Sequence, residues 1–74
     1  MVHFVHNIRM KIVLYKIMYE RNLTIRQLSI MSGVPKSTIQ ELMDENSNPK
    51  IGTLEKLASG LHCRITDLFE SDLK

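Results

Sequence analysis

Between Leu23 and Leu42 two short amphipathic stretches are joined by one glycine-containing turn, and this spacing limits the fold more than any other feature. Thr24 to Ser32 reads as a short helix, Gly33-Val34 as a tight turn, and Pro35 to Met43 as a second short helix. Helical periodicity turns Leu28 and Ser29 inward from the first, and Ile39 and Leu42 inward from the second. Ser29 is small where two helices must cross closely, and Gly33 can take the positive φ of a sharp turn. In this order they describe a helix-turn-helix unit.

The flanking sequence supplies the rest of a small helical domain. Asn7 can cap a helix from about Ile8 to Arg21, with Met10, Leu14, Ile17 and Met18 as its inward stripe. Ile12, Val13, Tyr15 and Tyr19 fall outside that stripe, so the outer face of this first helix asks for a cover, either the opening segment or a partner chain. Thr24 and Gln27 have capping-box spacing, in which the threonine oxygen accepts from the third helical amide. Pro35 suits a first helical turn, where its missing amide costs nothing. Residues 44–49 form a loop by composition. A further helix is expected from Ile51 to Leu61, burying Ile51, Leu54, Leu57, Ala58 and Leu61. Ile65, Leu68 and Phe69 complete a last helical turn or two. The expected fold is all-α, with five short helices around one core. Residues 1–7 form an N-terminal extension, either a short strand or a tail, and 8–72 the domain.

Length and composition exclude several classes of function. Seventy-four residues make one domain with a small core and little room for a deep substrate cavity. Apolar residues at 43% and charged residues at 24% are ordinary for a globular fold. Cys63 stands alone, so no internal disulfide forms and the chain suits a reducing, cytoplasmic setting. No apolar run approaches the roughly 20 residues of a membrane span, and Met1 to Val5 lacks the marks of a secretory signal. The net charge of +2 is modest, but its distribution is uneven. Arg9, Lys11, Lys16, Arg21, Arg26 and Lys36 are opposed only by Glu20, and the acidic residues gather later in the chain. That distribution permits nucleic-acid binding without requiring it.

Catalytic and metal readings find little support. His3 and His6 lack a third ligand nearby, and His62-Cys63 has neither the ligand count of a metal site nor an oriented base. There is no glycine-rich phosphate loop and no carboxylate pair suited to acid-base work. No enzyme activity, cofactor or metal is expected.

The runs Leu23-Thr24, Leu28-Ser29, Ser32 to Ile39 and Leu42, then Asn48-Pro49, Thr53 to Ala58, Leu61 and Asp67-Leu68-Phe69, resemble the lambda-repressor-like, Cro-type helix-turn-helix family of DNA-binding transcriptional regulators. The likeness runs from about Met10 to Phe69. It implies that the third helix enters the major groove, with Lys36, Ser37 and Glu41 reading bases and Thr38 and Gln40 close by. Lysine can donate to guanine, serine pairs with several bases, and a carboxylate accepts from cytosine N4. It also implies phosphate contacts from Thr24, Asn46, Asn48 and Lys50, with the helix-end amides near Ile51 and Gly52; Arg26, on the first turn of the second helix, is a further candidate. Two departures stand out. Met18 and Met43 occupy positions where many members carry an arginine–glutamate pair, and the thioethers are expected to pack together instead. Ile25 replaces a glutamine, which removes one phosphate contact. The resemblance points to a repressor acting on double-stranded DNA as a homodimer, without cofactor or membrane association. The rival reading is a protein-interaction module on the same fold, such as the antidote of a toxin pair, with a small protein partner on the outer face of the first helix.

Overall fold

The computed structural model describes residues 10–44 and 46–72. Its elements are a strand β1 (Met10–Ile12) and four helices, α1 (Leu14–Glu20), α2 (Ile25–Ser32), α3 (Lys36–Glu41) and α4 (Ile51–Leu61). A 3₁₀ turn (Ile65–Leu68) and a strand β2 (Phe69–Ser71) follow. The helix-turn-helix spacing holds: α2, the Gly33 turn and α3 lie where the sequence puts them, although α3 is shorter than Pro35 to Met43. Pro35 stands just outside the helix with φ −58° and ψ 146°, and its carbonyl accepts from the Ile39 amide at 3.1 Å.

Both ends of the domain differ from five helices. Met10–Ile12 does not begin a helix but pairs antiparallel with Phe69–Ser71, in the register Met10 to Ser71, Lys11 to Glu70 and Ile12 to Phe69. The Val13 amide continues the ladder by donating to the Leu68 carbonyl at 2.9 Å. The expected fifth helix is therefore one 3₁₀ turn that runs straight into a strand. Consequently Ile12 and Val13 are buried, not outward-facing, and Met10 is 39% exposed instead of inward. The physical reason is a partner some 60 residues away: β-branched Ile12 and Val13 suit a strand, and long-range pairing overrides the local helical period. The Asn7 cap and the proposed extension of residues 1–7 lie outside the described residues.

One core fills the centre. Leu14, Leu28, Ile39, Leu57, Leu61, Leu68 and Ile12 are fully buried, with Met18, Val34, Leu42, Leu54 and Ala58 beside them. Met43 is half-buried against the same cluster, so both methionines contribute to it, Met18 from within and Met43 at the edge. Ile25 also packs on the core, which gives an apolar role to the position that departs from the family pattern. Ile51 corrects an expectation: it begins α4 at the margin of its apolar arc and is 65% exposed.

Three helices end by the same device. Gly33 and His62 take left-handed φ of 76° and 56° directly after α2 and α4, and Asn22 takes 57° one residue beyond the cap Arg21 of α1. Behind Asn22 and His62, paired bonds (Leu23 to Met18 and Asn22 to Tyr19; Cys63 to Ala58 and His62 to Ser59) satisfy carbonyls that a helix end leaves free. The Arg21 guanidinium adds a donor to the Leu61 carbonyl at the end of α4, where positive charge is favoured. Gly60 has a different task. A Cβ there would lie 2.8 Å from the Met31 oxygen and from Ser32 Cα, so glycine allows α4 to approach the end of α2. Among the described residues, no helix is long and apolar enough to cross a membrane.

Candidate nucleic-acid interface

The turn that aims α3 is fastened by side chains as well as backbone. Ser29 Oγ donates to the Val34 carbonyl at 2.7 Å, and Ser32 Oγ donates to the Leu28 carbonyl at 2.7 Å. The Val34 amide donates to Ser32 Oγ at 3.2 Å, and the Gly33 amide to the Ser29 carbonyl at 2.9 Å. Ser29 thus does more than stay small. Its hydroxyl holds the residue before Pro35, while Val34, Ile39 and Leu42 anchor α3 in the core. Ser32 was not singled out from sequence, because a helix-terminal serine gives no sign of which backbone group it will meet.

With Ile39 buried, steps of about 100° per residue carry the other side chains of α3 outward. Lys36, Ser37, Gln40 and Glu41 are exposed, and Thr38 is half-buried at the flank. All five expected base-reading residues thus lie on one six-residue helix, four of them on its open face.

Thr38 and Glu41 also face a second group. Together with Ser47, Asn48, Lys50 and Thr53 they line a groove of about 360 Å³ between α3 and the start of α4. Asn48 and Lys50 were expected as phosphate contacts; Ser47 and Thr53 add two hydroxyls that the sequence did not single out. The Ser47 hydroxyl oxygen is out of solvent and has no hydrogen-bond partner in the protein. At the floor of this region the Lys50 carbonyl accepts from the Thr53 and Leu54 amides at 3.1 and 3.2 Å. The amides of Ile51 and Gly52 precede the first intrahelical bonds, so they have no acceptor within α4. Asn46 is exposed, and its amide donates to Asp44 Oδ1 at 2.9 Å, which closes the loop locally.

At α2 the capping box is complete. Thr24 Oγ1 accepts from the Gln27 amide at 3.1 Å, and Gln27 Oε1 accepts from the Thr24 amide at 2.8 Å. A hydroxyl that accepts still has a proton to donate, so capping and phosphate contact are compatible at Thr24. Arg26 is exposed on the first turn of the same helix. Away from this surface, the thiol of Cys63 is pushed above its ordinary range by burial and by the Asp67 carboxylate, with Arg21 pulling the other way. Cys63 packs against the core and His62 ends α4.

The family model for the Cro/C1-type HTH DNA-binding domain matches residues 13–72. Among solved structures, the chain is similar to the transcriptional regulator VanUg in its crystal form II, with a TM-score of 0.69 and 28% sequence identity over 86% of this chain and 85% of that one. No curated protein matches the chain.

Proposed function

Because the chain belongs to the Cro/C1-type helix-turn-helix DNA-binding family, we propose that it is a sequence-specific transcriptional repressor that binds a palindromic operator as a homodimer. One observation carries this reading: the polar face of α3 is open beside a groove where Lys50, Asn48, Ser47 and Thr53 offer donors to a phosphate. Lys36, Ser37, Gln40 and Glu41 meet base edges in the major groove, with Thr38 at the flank. Lys50, Asn48 and Asn46 hold one stretch of backbone, while Thr24 and Arg26 hold another. Two copies present their α3 helices about 34 Å apart, one turn of the duplex. Repression follows from occupying the operator and excluding polymerase.

The division of labour is testable by gel shifts on a panel of sites at several salt concentrations. Lys36→Ala or Ser37→Ala should change the ranking of sites, each lost base contact costing about 1–3 kcal/mol at its preferred base. Lys50→Ala should weaken all sites together and reduce the salt slope by about one unit. If both kinds of substitution behave alike, the assignment of roles is wrong.

A further inference from the structure

On the side of α1 turned away from the core, two stripes run side by side. Tyr15 and Tyr19 form one, 41% and 88% exposed, and exposed Lys16 and Glu20 form the other. The four residues line a shallow groove of about 580 Å³. Tyrosine combines large apolar area with few rotatable bonds, which is why it concentrates at protein interfaces. An 88% exposed tyrosine beside a lysine and a glutamate one turn apart calls for a partner that supplies rings and both charges.

We propose that this face binds a second copy of the chain, with the two α1 helices antiparallel about a two-fold axis. The inference rests on the homodimer reading above and names its surface. A two-fold contact must be self-complementary, and this face is so in one direction only. Reversing the helix across the axis brings each stripe against its own counterpart. Tyr15 then stands opposite the partner's Tyr19, and Lys16 opposite the partner's Glu20, each contact occurring twice. The aromatic register centres on residue 17 and the ionic one on residue 18, an offset of about 1.5 Å along the axis that long side chains absorb. A parallel arrangement would instead set the tyrosine stripe of each copy against the lysine–glutamate stripe of the other, leaving both charges without an opposite partner. A neighbouring groove of about 450 Å³ shares Tyr15 and Lys16 and adds Lys11, Glu70 and Asp72, so the face continues onto the sheet with both signs of charge.

The size of the contact sets its strength. A helix of seven residues is only about 10 Å long, too short to bury by itself the roughly 800 Å² per partner of a standard interface. Association is therefore weak in free solution and strengthens on an operator, where two bound copies have an effective concentration in about the millimolar range.

The test uses the full chain as wild type, as Lys16→Glu, as Glu20→Lys, and as an equimolar mixture of the two variants, with mass followed against concentration by analytical ultracentrifugation. The wild type should dimerise. Each variant alone presents only like charges to its copy, and its dissociation constant should rise roughly tenfold or more. The mixture should recover the dimer, because an acidic face meets a basic one. Ion pairing within one helix cannot produce that recovery, since neither variant regains its own pair. A dimeric wild type without recovery in the mixture overturns the proposal. So does a monomeric mass in every sample, free and on a duplex with two half-sites, whether residues 1–9 or a different protein cover the face. Half-site binding by Tyr19→Ser, measured in parallel, should equal wild type. If the wild type itself binds no duplex, the operator reading fails, and the mass data still decide the face.

Discussion

Gly60→Ala adds one methyl group and should destabilise the protein, although alanine is the better helix former. The new Cβ would sit 2.8 Å from both the Met31 carbonyl oxygen and Ser32 Cα, whereas carbon atoms in contact prefer about 3.5–4.0 Å. Those neighbours are backbone, not the movable end of a side chain, so α2 and α4 must separate. Overpacking of this kind costs about 1–3 kcal/mol, and the gain in helix propensity offsets about 1 kcal/mol at most, less near a helix end. A net loss of about 1–2 kcal/mol corresponds to a fall in Tm of roughly 5–15 °C for a domain of this size. Gly52→Ala is the internal control, in the same helix with no atom within 4 Å of the added Cβ. It should raise Tm by a few degrees. Thermal unfolding followed by circular dichroism measures both. A Gly60→Ala protein as stable as wild type would refute the close-approach account and imply that α4 can move away from α2 at no cost.

Thr24→Ala removes the cap of α2 and should lower stability by about 1 kcal/mol, with chemical denaturation as the readout; an unchanged midpoint would show that the cap contributes nothing. Cys63 gives a pH dependence. Because its folded thiol titrates above the ordinary thiol range, its contribution to stability is complete below the unfolded-state value and is lost as pH rises through the folded-state value. Urea unfolding at neutral and alkaline pH should show a larger alkaline decline for wild type than for Cys63→Ala, and equal declines would contradict the shift.

What the sequence revealed depended on how local the signal was. Thr24 with Gln27, Gly33, and the spacing of Leu28, Ile39 and Leu42 each act within a few residues, and α2, the turn and α3 follow the expectation closely. Leu54, Leu57, Ala58 and Leu61 carry enough helical period to place α4 to the residue. The sheet was not legible, because the partner that makes Met10–Ile12 a strand lies at Phe69–Ser71 and leaves no mark near Met10. Gly60 carries no local signal of its role, because its fit against Met31 and Ser32 exists only once two helices are packed. The same holds at the candidate interface. The polar start of α3 was visible as composition, whereas Ser47 and Thr53 joined the groove only through the folding of the loop onto α4.

The central claim is that the outward face of α3 reads sequence. Selection of bound fragments from a random duplex pool, run on the wild type and on Lys36→Ala, tests it most directly. The account predicts that the wild type enriches one short motif in two inverted copies, and that Lys36→Ala changes specific positions within it. Fragments recovered without any common motif, or an identical motif from both proteins, would contradict it.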